Sequence, residues 1–286
     1  MKGEHTIELL CEVLGVSRSG YYRWLTAKPS ARAKQDKELA EKIVEFHAQS
    51  RGNYGAPRIR HDLEEAGIQT SKKRCARLMK ERGIRGRKKH RRKPRTTDSR
   101  HSEPVAPNVL ALMEPPTAVN QVWVTDITYL ETGEGWLYLA AILDAFSRKI
   151  IGWACAPTLA ALLVLAAWRD AVARRKPSPG LLHHSDRGCQ YVEQGFVLEL
   201  NQLGIARSMS RAGNCYDNAM MESFWSTLKT ESELDSTIPA TRHDAELAVF
   251  DYIETFYNLK RRHSSLGYLS PVAFEKQLTK QDIKAA

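Results

Sequence analysis

The fold is decided by the stretch Val122-Trp123-Val124-Thr125-Asp126-Ile127-Thr128-Tyr129-Leu130, whose β-branched and aromatic residues predict a strand with a carboxylate at its centre. A turn-forming segment follows at 131–135, and apolar runs at 136–143 and 149–155 predict two further strands. Three strands joined by short turns indicate an antiparallel meander. Because a buried carboxylate without a partner is costly, Asp126 needs a functional reason to lie inside a strand.

The rest of this region alternates helices with strands. Pro157 is placed to open an Ala/Leu-rich helix. The pattern then predicts, in order, a strand, a helix, a strand and a helix at 181–185, 192–203, 205–209 and 218–230. The order β-β-β-α-β-α-β-α predicts an α/β fold with an RNase H-like core, in which helices flank a mixed five-stranded sheet. A strand and a buried helix also explain the uncharged run at 150–168, so we expect no membrane span.

Two further acids are expected to lie beside Asp126. Asp186 follows the strand at 181–185, and Glu222 lies in the first turns of the helix at 218–230. In an RNase H-like sheet these positions converge at one edge. Clustered carboxylates repel one another and raise one another's pKa unless a cation lies between them. Hard carboxylate oxygens favour Mg²⁺ or Mn²⁺, so the sequence predicts a metal site on the three acids.

The motifs around these acids carry a specific resemblance. They read Trp123-Val124-Thr125-Asp126-Ile127-Thr128-Tyr129, His184-Ser185-Asp186-Arg187-Gly188-Cys189-Gln190-Tyr191 and Gly213-Asn214-Cys215-Tyr216-Asp217-Asn218-Ala219-Met220-Met221-Glu222-Ser223-Phe224. Between Asp186 and Glu222 there are 35 residues. With these motifs and the tail at 257–271, nearly the whole chain resembles the OrfB transposase of the insertion-sequence-three family, whose integrase-type core carries a DDE triad.

The resemblance implies an enzyme activity. Asp126, Asp186 and Glu222 would be catalytic and would hold two Mg²⁺ or Mn²⁺ ions, with Asp126 bridging them. The reaction would be DNA cleavage by water, followed by attack of the new 3′-OH on another phosphodiester. The function implied is therefore the cleavage and strand transfer by which an insertion sequence is transposed and integrated.

The N-terminal third is basic and helical. Residues 1–100 carry a net charge of +14, whereas 101–286 carry −4, and dense Lys and Arg usually indicate a polyanionic partner. Residues 6–25 predict a helix-turn-helix in which Ser17 caps the second helix. A further helical unit spans 37–82, and its last helix is apolar on one side and cationic on the other, which suits a DNA groove.

These features predict five segments. They are a helix-turn-helix at 1–30, a second helical DNA-binding unit with a basic arm at 31–93, a linker at 94–119, the RNase H-like integrase core at 120–235 and a C-terminal helical extension at 236–286. We expect DNA contacts from the second unit, its arm, the core and the tail, namely Lys72, Lys73, Arg74, Arg77, Arg87, Lys88, Lys89, Arg91, Arg92, Lys229, Arg261 and Arg262.

Other polar residues in the core receive structural interpretations. Asp144 is expected to pin a turn, with Arg148 as a partner, and Asp217 to cap the helix that carries the third acid. His183 and His184 alternate across a strand, so at most one faces the site. Each is interpreted as a structural histidine.

The expected partners follow from the resemblance. They are double-stranded DNA at the element ends and the target, further copies of the chain on that DNA, and an OrfA part supplied by fusion or as a partner, because no leucine-zipper heptad run occurs here. Five scattered cysteines without a Cys-x-x-Cys pair, and no signal peptide, predict a cytoplasmic, nucleoid-associated protein. Two alternatives stay open: a nuclease that hydrolyses without joining, and a non-catalytic DNA-binding regulator built on an integrase-like core.

Overall fold

The structure is a computed structural model that describes residues 6–88, 106–211 and 218–285, of which 281–285 are described by their backbone alone. The described residues form two compact units. Among the helices of the described residues, none is both long enough and apolar enough to span a bilayer.

The first unit, residues 6–49 and 54–85, is helical. Its helices are α1 (Ile7–Val13), α2 (Arg18–Thr26), α3 (Ala31–Gln49), α4 (Ala56–Glu65) and α5 (Lys72–Glu81). Ser17 Oγ accepts the backbone N–H of Gly20 at the start of α2, which confirms the predicted cap. The side chain of Ser71 caps α5 in the same way. The predicted N-terminal helices are therefore confirmed, and α1 to α5 together belong to one compact unit.

The amphipathic character of α5 is also confirmed. Cys75, Leu78 and Met79 are buried on one side of the helix, whereas Lys72 and Lys73 are exposed on the other. Burial of the apolar side fixes the helix in its unit, since most helical stability in proteins comes from such packing.

The second unit is built on a five-stranded sheet with the strand order β3-β2-β1-β4-β5. The strands are β1 (Val122–Thr132), β2 (Gly135–Asp144), β3 (Ile150–Ala156), β4 (Leu182–Ser185) and β5 (Ala206–Met209). The β1–β2 and β2–β3 pairs are antiparallel, and the β1–β4 and β4–β5 pairs are parallel. This mixed sheet confirms the predicted fold class and the order of the elements.

Helices flank the sheet. They are α6 (Ala161–Arg175), α7 (Gln194–Gln202), α8 (Ala219–Glu231), α9 (Arg242–Phe250), which continues into a π-helical segment at Asp251–Tyr257, and α10 (Pro271–Ala285). The prediction that Pro157 opens α6 is wrong. The chain bends at 157–158, and Ala160 is still extended, with φ −109° and ψ 158°. The backbone therefore turns away from β3 before the helix begins.

The core lies between the sheet and α6. Trp123 on β1 and Trp168 on α6 pack edge to face, with ring centroids 5.6 Å apart. Gly152 on β3 permits the close approach of α6, because a Cβ there would lie 2.4 Å from the carbonyl oxygen of Ala167. This packing holds β1, which carries the first acid, in the middle of the sheet.

Candidate active site

Three acidic side chains lie where β1, β4 and α8 approach one another. Asp126 is in the middle of β1, and Asp186 directly follows the last residue of β4. The parallel register pairs Val124 with His184. Asp126 and Asp186 each follow two residues later, so both acids lie toward the same end of this strand pair. Glu222 is exposed in the first turn of α8.

Three hydrogen bonds fix one face of α8 against β1. They run from Asn218 Nδ2 to Thr125 O (3.2 Å), from Trp225 Nε1 to Asp126 Oδ2 (2.8 Å) and from Lys229 Nζ to Tyr129 O (2.7 Å). Glu222 is four residues after the first donor and three before the second, which places it on the same face of the helix. The third acid is therefore directed to the side of α8 that meets Asp126.

The electrostatics of Asp126 show that the acids influence one another. Burial raises the pKa of Asp126 to about 8, and the negative charge of Asp186 adds to the rise, with a smaller contribution from Glu222. The hydrogen bond from Trp225 acts in the opposite direction, because it stabilises the ionised carboxylate. The three acids thus belong to one electrostatic environment.

The chemistry of this donor set fits a hard divalent cation. Carboxylate oxygens are the ligands that Mg²⁺ and Mn²⁺ prefer, and a cation between the acids would remove their mutual repulsion. Within 6–88, 106–211 and 218–285, no three His, Cys, Asp or Glu side chains are grouped closely enough to hold one ion. Asp186 Oδ1 accepts the backbone N–H of Gly188 at 3.0 Å.

Three known domain families match parts of the chain. Residues 34–93 match an HTH-like domain, and residues 116–215 and 203–271 match two integrase core domain families. The insertion element IS600 uncharacterized 31 kDa protein of Shigella sonnei is 47% identical over 269 residues, which cover 94% of this chain and 98% of that protein.

Relatives that are named as transposases cover nearly the same length. The transposase for insertion sequence element IS904 of Lactococcus lactis is 42% identical and covers 87% of this chain and 98% of its own. Transposase InsF for insertion sequence IS3A of Escherichia coli is 36% identical over 96% of each chain. The chain belongs to the insertion-sequence-three family of transposases. Among solved structures, the catalytic core domain of BIV integrase is 19% identical, with a TM-score of 0.42, and covers 57% of this chain and 99% of that chain.

The prediction that Asp144 pins a turn is confirmed. Its side chain is buried, with Oδ1 accepting the backbone N–H groups of Phe146 and Ser147, both at 3.0 Å, and Oδ2 accepting that of Asn120 at 2.7 Å. Arg148 contacts Asp144 through its backbone, N to O at 2.8 Å. Asp144 therefore pins the turn after β2. The other predicted structural acid, at position 217, lies outside the described residues.

Both histidines of β4 are structural, as predicted. His183 is buried among aromatic rings, including those of Trp168 and Phe196, and burial lowers its pKa to about 3. His184 is buried on the other face of the strand, where its two ring nitrogens contact the hydroxyls of Ser208 and Ser210 at 2.9 and 3.1 Å.

The predicted DNA contacts of the helical unit divide into two groups. Lys72 and Lys73 are exposed on α5. Arg74 and Arg77 instead bind the carboxylate of Asp36, at 2.7 and 2.6 Å, so part of their charge is neutralised within the unit. In the basic arm, Lys88 is exposed and Arg87 forms an ion pair with Glu233. The arm residues Lys89, Arg91 and Arg92 lie outside the described residues.

The tail arginines require a correction. Arg261 is buried and donates Nε to Glu231 Oε2 at 2.7 Å and a terminal nitrogen to Oε1 at 2.8 Å. Arg262 is also buried and donates to Tyr268 O at 3.0 Å. Because these guanidinium groups are engaged inside the fold, the prediction that they contact DNA phosphates is wrong.

Sequence reasoning missed two residues beside the acids. Trp225 bonds to Asp126, and Asn218 anchors the start of α8. The only sequence signal was their spacing from Glu222, which places all three on one helical face. The partner on β1 is 99 positions away from Trp225, so the bond itself could not be inferred from local pattern.

Proposed function

We propose that the chain is a DDE transposase, which cleaves DNA at the ends of an insertion sequence and joins the freed 3′ ends to other DNA. The observation that carries the proposal is the convergence of Asp126, Asp186 and Glu222 from β1, β4 and α8. The names of the relatives, transposases for IS904 and IS3A, support it.

We propose that Asp126, Asp186 and Glu222 would hold two Mg²⁺ or Mn²⁺ ions. When bound, such ions supply Lewis acidity and charge stabilisation at the phosphodiester that reacts. Trp225 acts on Asp126 by holding Oδ2 at 2.8 Å, which restricts the rotamers of the carboxylate. The bonds of α8 to β1 keep Glu222 on the same side as Asp126.

DNA is proposed to be held by the exposed cations of the described chain together with the basic arm. Lys72 and Lys73 on α5 are available to phosphates. Lys229 uses one donor on Tyr129 O, and because an ammonium group carries three N–H donors it can also bind a phosphate. Since two DNA ends must be joined, we propose that the chain acts as a multimer on nucleoid DNA in the cytoplasm, with an OrfA part fused or bound.

The test is strand transfer on a labelled duplex that carries the end of the element, with Mg²⁺ or Mn²⁺, for the chain fused to its OrfA part. Glu222→Gln should abolish products while DNA binding is kept. Glu246→Gln, which changes an exposed carboxylate on α9, is the matched control and should react as the wild type does.

Three outcomes would contradict the proposal. Products that persist in Glu222→Gln would remove the third acid from the reaction. Hydrolysis without joining would favour the nuclease. A wild-type chain that binds the DNA but gives no metal-dependent product would favour the non-catalytic regulator.

A further inference from the structure

The turn that follows β4 carries a cation directly beside the second acid. Asp186 and Arg187 are consecutive, and both are partly exposed. Asp186 Oδ1 accepts the backbone N–H of Gly188 at 3.0 Å, whereas Arg187 Nε donates to Ser210 O at 2.8 Å. The carboxylate is therefore bound within its own turn, and the neighbouring guanidinium is bound to a different segment of the chain.

The segment that holds Arg187 is itself firmly placed. Ser210 directly follows β5 and is 5% exposed. Its backbone N–H donates to Ser185 O at 2.9 Å, and its Oγ contacts His184 Nε2 at 3.1 Å. Because these bonds join the ends of β4 and β5, Ser210 O is a fixed acceptor. The guanidinium of Arg187 is therefore restricted before any ligand arrives, which lowers the loss of side-chain entropy on binding.

The bond to Ser210 does not neutralise the positive charge of Arg187, because its acceptor is a carbonyl oxygen. This differs from Arg261, whose acceptor is the carboxylate of Glu231. A guanidinium carries five N–H donors, and its two terminal nitrogens form a planar fork that matches two oxygens of a phosphate. Arg211, the residue after Ser210, is exposed and adds a second cation to this part of the surface.

The position of Arg187 relative to the acids indicates which anion it meets. DNA carries a phosphate at every nucleotide, so a strand that reacts at the acids brings its neighbouring phosphates to the surrounding surface. Lys229 is bound to β1, whereas Arg187 is bound at the end of β5, and β4 lies between these two strands. Cations on both sides of an acidic centre suit a polyanion that passes across it.

We propose that Arg187 binds a backbone phosphate of the DNA strand next to the phosphodiester that reacts at the three acids. The proposal rests on the proposed function, which makes DNA the substrate. Arg187 Nε stays on Ser210 O, and the terminal nitrogens donate to the phosphate oxygens. A contact to phosphate reads no base, so the site should hold the strand beside Asp186 without sequence preference.

The test removes the charge of one phosphate at a time. Element-end duplexes carry a single neutral methylphosphonate at successive positions around the cleavage site, and their affinity for the full chain is measured in EDTA, so that no reaction occurs. At one position next to the cleavage site, the substitution should weaken binding by the wild type about tenfold, as expected for one lost charge-assisted contact. For Arg187→Gln the same substitution should change the affinity by less than about twofold.

Two further variants separate a phosphate contact from a structural role. Arg169→Gln, at an exposed arginine on α6, is the matched control and should keep the full wild-type effect. Arg187→Lys keeps the charge but not the fork, so the methylphosphonate should have an intermediate effect on it. If Arg187 only fastened the turn to Ser210, both Arg187 variants would lose stability in thermal unfolding and keep the wild-type effect at every phosphate.

Either of two results would overturn the inference: no sensitive phosphate beside the cleavage site in the wild type, or equal effects in the wild type and the Arg187 variants. If Arg187→Gln does not fold, the comparison between the wild type and Arg187→Lys decides in the same way. Strand transfer without an effect that depends on Arg187 would refute the phosphate site alone. The effect without strand transfer would refute the proposed function alone.

Discussion

Arg261→Met should destabilise the second unit without lowering the affinity of the chain for DNA phosphates. The side chains of Arg261 and Glu231 are 7% and 8% exposed, and two hydrogen bonds join them. Tyr252 adds a third bond to the same carboxylate, OH to Oε2 at 2.9 Å. Glu231 is the last residue of α8, so the cluster ties the helix that carries Glu222 to the C-terminal segment.

The magnitude follows from the burial. Removing one partner of a buried ion pair leaves the other charge without compensation and typically costs about 3–5 kcal/mol. At about 2–4 °C per kcal/mol for a unit of this size, the unfolding temperature should fall by about 6–20 °C. The double variant Glu231→Gln/Arg261→Met removes both charges and should lose less than Arg261→Met alone.

The assay combines thermal unfolding, followed by circular dichroism, with DNA affinity measured over a series of salt concentrations below the unfolding range. A lost phosphate contact would reduce the slope of log affinity against log salt concentration by about one. We expect lower stability and an unchanged salt dependence. Wild-type stability with a salt dependence reduced by about one would refute the burial argument and restore Arg261 as a phosphate contact.

Three further predictions concern other parts of the structure. Trp225→Phe removes the N–H that holds Asp126, so single-turnover strand transfer should slow by about 10–100-fold with unchanged DNA binding; a wild-type rate would contradict this. Gly152→Ala places a Cβ against the α6 backbone and should cost about 1–3 kcal/mol in chemical denaturation, whereas no loss would show that α6 can shift. The Asp36 pKa is held below its ordinary value by hydrogen bonds from Arg77 first and then from a second arginine. The stabilisation of the folded state by ionised Asp36 should be complete above the unfolded pKa of about 3.9 and lost at lower pH. Asp36→Asn should therefore flatten the dependence of the melting temperature on pH in that range.

The sheet could be predicted because its determinants are local. The β-branched and aromatic residues around Asp126 and the short turn before β2 indicate strands and their connection without knowledge of the rest of the chain. The start of α6 could not be predicted in this way. Pro157 suits a first helical turn, but the chain must bend away from β3 before the helix can pack on the sheet.

The side-chain partners around the acids could not be predicted, because they join distant positions. Trp225 and Asp126 are 99 positions apart, and Arg261 and Glu231 are 30 apart. A cationic residue in a basic tail has the same local sequence whether it meets a phosphate or a buried carboxylate. Only the packing of the C-terminal segment on α8 distinguishes the two roles of Arg261.

We propose that Asp126, Asp186 and Glu222 form one divalent-metal centre, and counting bound Mn²⁺ tests this most directly. Electron paramagnetic resonance of free Mn²⁺, titrated with the chain bound to uncleavable element-end DNA, gives the number of ions held. We predict two bound ions for the wild type and weakened ion binding in Asp126→Asn. The control is Glu246→Gln, since Asp144 pins a turn and its substitution could disturb the fold. Two tightly bound ions in Asp126→Asn, or none in the folded, DNA-bound wild type, would contradict the account.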